Sequence, residues 1–195
     1  MNKEAYQSKK DQIKEASKEL FFRFGFHKTS MDDIARQSGM AKPTLYYYYP
    51  KKESIFEDIV FEEAQNFMDG VKKKIPPNIP ADQQIRIFLG TIYRDLTTLA
   101  GKTSGLPKIM CDDYPHGKPI VSRIGKIFRE TLHPFLQAGK EQGVLNIDNE
   151  ETTLSAIGLM FKFLTLEWIR QTPATERDRI VDNTIDIIAN GIRRR

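Results

Sequence analysis

The side chains in this sequence best suited to chemistry sit close together, in the run Lys42-Pro43-Thr44-Leu45-Tyr46-Tyr47-Tyr48-Tyr49-Pro50-Lys51-Lys52. They suit recognition of a duplex. A lysine such as Lys42 donates to guanine O6 and N7 in the major groove, and the methyl group of Thr44 and the rings of Pro43 and Tyr46 pack on thymine methyls. The hydroxyls of Tyr47 and Tyr48 suit phosphate oxygens, which position a protein without reading sequence. Lys52 opens a predicted helix, so its ammonium and the helix N-terminus can act on one phosphate. From Ile34 to Lys52 the bases Arg36, Lys42, Lys51 and Lys52 meet no Asp or Glu. Four consecutive tyrosines cannot all face inward on a helix. Tyr49 and part of Tyr46 read as core, and the others as exposed.

No catalytic constellation accompanies this run. G-x-S-x-G, the P-loop and H-E-x-x-H are all missing from the sequence, so no catalytic residue, cofactor or metal is assigned and the chain is not expected to be an enzyme. Cys111-Asp112-Asp113-Tyr114-Pro115-His116 holds metal-capable side chains, at a spacing that matches no standard site. Cys111 has no lysine or arginine closer than Lys108 to favour its thiolate.

The elements that must position the recognition run are helical. Ser8 suits an N-cap with Asp11 at the matching acidic position. Ile13, Ala16, Leu20 and Phe24 then recur at helical spacing, and Gly25 supplies the left-handed position that ends many helices. Ser30 with Asp33 forms a capping box that opens a short second helix, closed by Ser38-Gly39. A third helix fits Lys42–Tyr48, where Pro43 is tolerated because first-turn N–H groups lack intrahelical partners. Gly39 stands where the turn needs positive φ, Ala35 is small where two helices must approach, and Ile34, Met40 and Leu45 can meet beneath. Two short helices about a glycine turn outline a helix-turn-helix.

Further helices fit about Lys52–Lys74, Asp82–Ala100, Pro107–Asp112, Pro119–Gln142, Asn149–Gln171 and Thr175–Ile192. Pro76-Pro77-Asn78-Ile79-Pro80 reads as a stiff linker. No period-2 strand and no repeat appear. The fold class expected is all-α, about nine helices, with a head at residues 1–52 and a helical effector-binding and dimerisation body at 53–195.

Thr29-Ser30-Met31-Asp32-Asp33-Ile34-Ala35, followed by Gly39-Met40-Ala41-Lys42-Pro43-Thr44-Leu45-Tyr46-Tyr47-Tyr48-Tyr49-Pro50-Lys51-Lys52-Glu53, resembles the DNA-binding domain of the TetR family of bacterial regulators. The likeness is specific over about Lys9–Val60 and only architectural beyond. It implies that Lys42, Thr44, Tyr46 and Tyr47 contact operator bases and that Thr29, Tyr48 and Lys52 hold phosphates. Two positions depart from the family pattern. Ala41 stands where a Ser or Thr cap is usual, and Tyr49 replaces a usual Phe, so its hydroxyl needs a partner or a path to solvent.

A single helix-turn-helix makes few base contacts, and two-fold pairing on a palindrome is the usual remedy. Leu154, Ile157, Phe161, Leu164 and Trp168 repeat at steps of three and four, with Gly158 beside them, and Val181, Ile185, Ile188 and Ile192 form a second stripe. Such stripes suit an intramolecular core as well. The resemblance assigns them to a homodimer interface through the last two helices. Phe67, Phe88, Tyr93, Met110, Cys111, Tyr114, Phe128, Leu132, Phe135 and Phe161 either line a pocket for a small hydrophobic or aromatic effector or fill the core.

Composition agrees. The chain has 195 residues, 39% hydrophobic and 29% charged, with a net charge of +4. No apolar run reaches membrane-spanning length. The charged start leads into no signal core and the single cysteine fits a reducing compartment, so a cytoplasmic protein without a membrane partner is expected. The function expected is a repressor that binds double-stranded operator DNA and is released by its effector. An activator of the same fold and a helical small-molecule carrier without DNA binding are the alternatives.

Overall fold

The computed structural model describes residues 3–100, 117–161 and 166–194. The described residues form α1 (Lys3–Phe24), α2 (Met31–Gln37), α3 (Lys42–Tyr48), α4 (Lys52–Lys73), α5 (Ala81–Ala100), α6 (Gly117–Glu141), α7 (Glu150–Phe161), α8 (Leu166–Gln171) and α9 (Ala174–Ile192). The all-α expectation holds. Among the described residues, extended pairing is limited to an isolated bridge between Leu145 and Arg193. No described helix is long and apolar enough to cross a membrane. The expected helix at Pro107–Asp112, the Cys111–His116 segment and the pocket and interface residues Met110, Cys111, Tyr114 and Leu164 lie outside the described residues.

Residues 3–63 and 117–120 form one compact unit, and 64–100, 121–161 and 166–194 a second. The expected boundary at residue 52 falls at the start of α4, whereas the first unit keeps that helix to Glu63. The physical reason is a ladder of lysines four residues apart on α1. Lys10 pairs with Asp58 at 2.8 Å, Lys14 with Glu62 at 2.5 Å and Lys18 with Glu63 at 3.0 Å. Burial works against the charge on Lys14, yet its bonds to Asp11 and Glu62 outweigh that and raise its pKa. Beneath the ladder Phe21, Phe26 and Phe56 pack with ring centroids 5.1–5.7 Å apart, beside fully buried Ile13, Ile34, Leu45, Ile55 and Ile59.

α1 begins at Lys3, earlier than the Ser8 cap suggests. It ends where expected: Gly25 takes φ 85° and its N–H bonds the Phe21 carbonyl at 3.0 Å.

In the second unit α5 carries buried Ile85, Phe88, Leu89 and Ile92, and α8 and α9 both pack against it. The Pro76–Pro80 segment is a pinned turn inside this unit. Gln84 donates to the Pro76 and Pro77 carbonyls at 3.0 and 3.2 Å, and Lys74 pairs with Asp95 at 2.7 Å. The expected long helix over Asn149–Gln171 is described as α7 and α8, with 162–165 between them outside the described residues. α6 ends at Glu141, and Gly143 two residues on takes φ 70°. Just before it Gly139 leaves no room for a side chain, since a Cβ there would lie 2.3 Å from Leu145 Cδ1.

Candidate nucleic-acid interface

The α2–α3 pair is built by local chemistry. The Ser30 hydroxyl accepts from the Asp33 N–H at 3.2 Å while the Asp33 carboxylate accepts from the Ser30 N–H at 3.0 Å, which completes the capping box. The Ser30 hydroxyl and N–H hold the Asp33 carboxyl below its ordinary pKa. α2 closes through the Ser38 N–H on the Ile34 carbonyl at 2.9 Å and the Met40 N–H on the Ala35 carbonyl at 2.9 Å, with Gly39 at φ 65°. Gln12 of α1 donates to the Ser38 carbonyl at 2.7 Å, which fixes the turn to the scaffold.

α3 starts at Lys42 with Ala41 in an extended conformation and no side-chain cap. Leu45 and Tyr48 turn inward, and Lys42, Pro43, Thr44, Tyr46 and Tyr47 turn outward, with Tyr47 68% exposed. All five residues expected to touch bases therefore share the solvent side of one helix. Lys42 Nζ lies 2.8 Å from Asp32 Oδ1, and that carboxylate raises the lysine's pKa.

The three residues assigned to phosphates are placed differently. Thr29 is buried, with its hydroxyl donating to the Gly25 carbonyl at 2.9 Å. Tyr48 is buried, with its ring 5.0 Å from that of Tyr6. Lys52 points its ammonium at the Phe26 and Thr29 carbonyls, at 2.9 and 3.0 Å, and over the Phe26 ring at 4.5 Å. These three side chains hold the α1–α2 loop and α3 in place. Thr29 and Lys52 also line a groove of about 500 Å³, together with residues that include His27, Lys28, Ser30, Tyr46, Lys51 and Glu53.

Tyr49, the other departure from the family pattern, is buried and donates to Asp58 at 2.9 Å. Burial, with Asp58 beside it, pushes the phenol far above its ordinary pKa. Sequence reasoning missed Tyr6 and Lys10. The signal available for Lys10 was the matched four-residue spacing of Lys10 and Lys14 on α1 with Asp58 and Glu62 on α4.

The residues expected at a dimer seam are mostly internal. Leu154, Ile157, Phe161, Val181, Ile185 and Ile188 are buried within the second unit, and Gly158 and Trp168 are half-buried. The large apolar side chains left in solvent on α7 and α9 are Leu159, Met160, Ile180 and Ile187. Of the expected pocket residues, Phe88, Phe128, Phe135 and Phe161 form a run of ring contacts with centroids 5.7–6.0 Å apart. Leu132 is buried and Phe67 half-buried. The Tyr93 hydroxyl donates to Asp178 and accepts from Arg177 Nε at 2.9 Å, which ties α5 to α9.

Comparison with known proteins supplies the context. The family model described as bacterial regulatory proteins, tetR family, matches residues 13–59. The HTH-type transcriptional regulator YhgD of Bacillus subtilis, itself uncharacterised, is 22% identical over 177 residues, 88% of this chain and 90% of that protein. The HTH-type transcriptional activator FasR of Mycolicibacterium smegmatis is 20% identical over 188 residues, 94% of this chain and 83% of the other. Among solved structures, Thermus thermophilus FadR, a TetR-family repressor in complex with lauroyl-CoA, superposes with a TM-score of 0.69 at 18% identity, covering 95% of this chain and 96% of that one. The family match falls on the helices whose geometry is described above, which sets the carrier reading aside. Residues 13–59 therefore carry the DNA-binding domain of the TetR family of bacterial regulators, and nearly the whole length of the chain shares the fold of solved TetR-family structures.

Proposed function

We propose that the chain is a ligand-responsive repressor that binds a palindromic operator as a homodimer and leaves it when a small hydrophobic or aromatic effector binds. The observation that carries the DNA-reading half of this is the solvent side of α3, where Lys42, Pro43, Thr44, Tyr46 and Tyr47 all stand exposed over an inward-turned Leu45 and Tyr48. Each α3 enters a major groove, with half-site centres about 34–36 Å apart or a multiple of that. Because Thr29, Tyr48 and Lys52 are engaged internally, the phosphate contacts pass to the rim of the groove beside α3, through Lys28, Lys51 and the backbone N–H groups that open α4.

Dimerisation is the part of the reading that the exposed apolar residues support. Leu159, Met160, Ile180 and Ile187 have no place in the core of their own chain, so the interface uses these in place of the buried stripes. The phenylalanine run Phe88, Phe128, Phe135 and Phe161 supplies an apolar lining for the effector, and lauroyl-CoA, the ligand of the Thermus relative, is a first compound to try. Effector binding biases a two-state arrangement of the body, and α4 is the helix that continues from the body into the head.

The test is a footprint on a duplex that the protein selects from a random pool. It should be two-fold symmetric, and Lys42→Ala and Tyr47→Ala proteins that still fold should lose it. Wild-type affinity in both would overturn the assignment of the reading face. Similarity to a protein named an activator favours a second reading, with the opposite sign of control. A reporter carrying the selected site, compared with and without the gene, separates the two.

A further inference from the structure

We propose that Tyr6, near the start of α1, is a positioning residue for sequence reading: its ring holds Tyr47 of the reading helix in the orientation that meets the bases. Tyr6 is half-buried, and its centroid lies 6.3 Å from that of Tyr47 at 80° and 5.0 Å from that of Tyr48 at 40°. Tyr47 and Tyr48 close the triangle at 5.2 Å and 87°. Two of these contacts are edge-to-face, the arrangement that aromatic quadrupoles favour. Tyr48 is buried, whereas Tyr47 is 68% exposed. An exposed side chain that is ordered only on binding weakens the complex by the entropy it loses, and one that is held beforehand does not.

The platform under Tyr6 is itself anchored. One turn further along α1, Lys10 bonds Asp58 at 2.8 Å and lies over the Tyr49 ring at 4.6 Å. The first turns of α1 thus touch Tyr47, Tyr48 and Tyr49 in succession. Tyr6 is only half-buried, against the most exposed tyrosine of α3.

This rests on the reading of Tyr47 as a DNA contact, and the experiment separates the two. The full-length protein is titrated with the short duplex that the wild type selects from a random pool and with a scrambled duplex of the same length. The readout is the ratio of the two affinities. Tyr6→Ala should lower that ratio by about threefold to tenfold, the range set by one aromatic pair, and leave the scrambled affinity unchanged. Tyr6→Phe should restore it, since the ring makes the contacts. In a Tyr47→Ala background Tyr6→Ala should cost nothing more. An unchanged ratio in Tyr6→Ala, an equal loss on both duplexes, or the same loss with and without Tyr47 would overturn the proposal. If Tyr47→Ala alone leaves the ratio unchanged, the reading face fails and this inference with it, and that result is visible before Tyr6 is touched. Tyr6→Leu, which keeps apolar bulk without an aromatic edge, replaces Tyr6→Ala if the alanine protein does not fold, and it should lower the ratio likewise.

Discussion

Tyr49 and Lys10 meet on the same oxygen of Asp58, the phenol at 2.9 Å and the ammonium at 2.8 Å. The hydroxyl that departs from the family's usual phenylalanine has therefore become part of the joint between α1, α4 and the end of the reading helix. Tyr49→Phe removes one hydrogen bond to a charged group and leaves Asp58 its lysine, so it should cost about 1.5 kcal/mol in urea unfolding. Asp58→Ala strands both partners and should cost more. The pH dependence follows from linkage. Tyr49 holds its proton in the folded state well above the ordinary value of 10.0, while the unfolded chain releases it near that value. Above pH 10.0 the unfolded state then binds fewer protons, and stability falls as pH rises. Tyr49→Phe should flatten that alkaline loss, and a Tyr49→Phe protein whose alkaline slope matches the wild type would refute this account.

Lys42 enters the binding reaction already paired with Asp32 at 2.8 Å, both side chains in solvent. Asp32→Asn frees the ammonium and removes a negative charge from the face that meets phosphates. Affinity for any duplex should rise about twofold to fivefold at low salt, and the gain should shrink as salt screens it. The same change removes an acid from the first turn of α2 and should lower stability by about 0.3–1 kcal/mol. Anisotropy titrations at two salt concentrations, set beside a melting curve, would show the two effects moving in opposite directions.

The caps of α2 and α3 invite a paired comparison. Ser30→Ala breaks a complete capping box and should cost about 1 kcal/mol. Ala41→Ser supplies α3 with the side-chain acceptor it lacks and should return about 0.5–1 kcal/mol. Thermal unfolding of the two single variants and the double checks both signs, and no gain in Ala41→Ser would mean that Pro43 and the backbone already satisfy the start of α3.

Two adjacent isoleucines distinguish core from interface. Ile187 is 56% exposed and Ile188 is 4% exposed. Ile187→Glu should leave the fold intact and shift the protein from dimer to monomer in analytical ultracentrifugation. Ile188→Glu should unfold it, because it buries an unpaired charge. A fully dimeric Ile187→Glu protein would remove α9 from the proposed interface.

The legible parts of this fold are those encoded within a few residues. Ser30 with Asp33, Gly25, Gly39 and Pro43 each announce a local backbone event, and each occurs where the sequence puts it. Which way Lys52 points was hidden, because its carbonyl partners in the α1–α2 loop lie 23–26 residues away and only the packing of α4 brings them near. The extent of α1 was hidden for a similar reason: residues before Ser8 include Tyr6, whose ring partners are on α3. On α7 and α9 the apolar stripes were visible, but an amphipathic pattern cannot say whose core it serves. Leu154 and Ile188 face inward while Leu159 and Ile187 stand in solvent.

The lysine ladder on α1 has an electrical consequence. Lys10, Lys14 and Lys18 add three positive charges to the head, yet each sits within 3.0 Å of a carboxylate on α4. A paired charge is a dipole to a distant phosphate, and its field dies away faster than that of a lone ion. Among the described residues no carboxylate holds Lys28 or Lys51, which line the groove beside α3. Lys28 and Lys51 therefore keep the field of a lone ion beside α3, where it would add to the long-range attraction of a duplex.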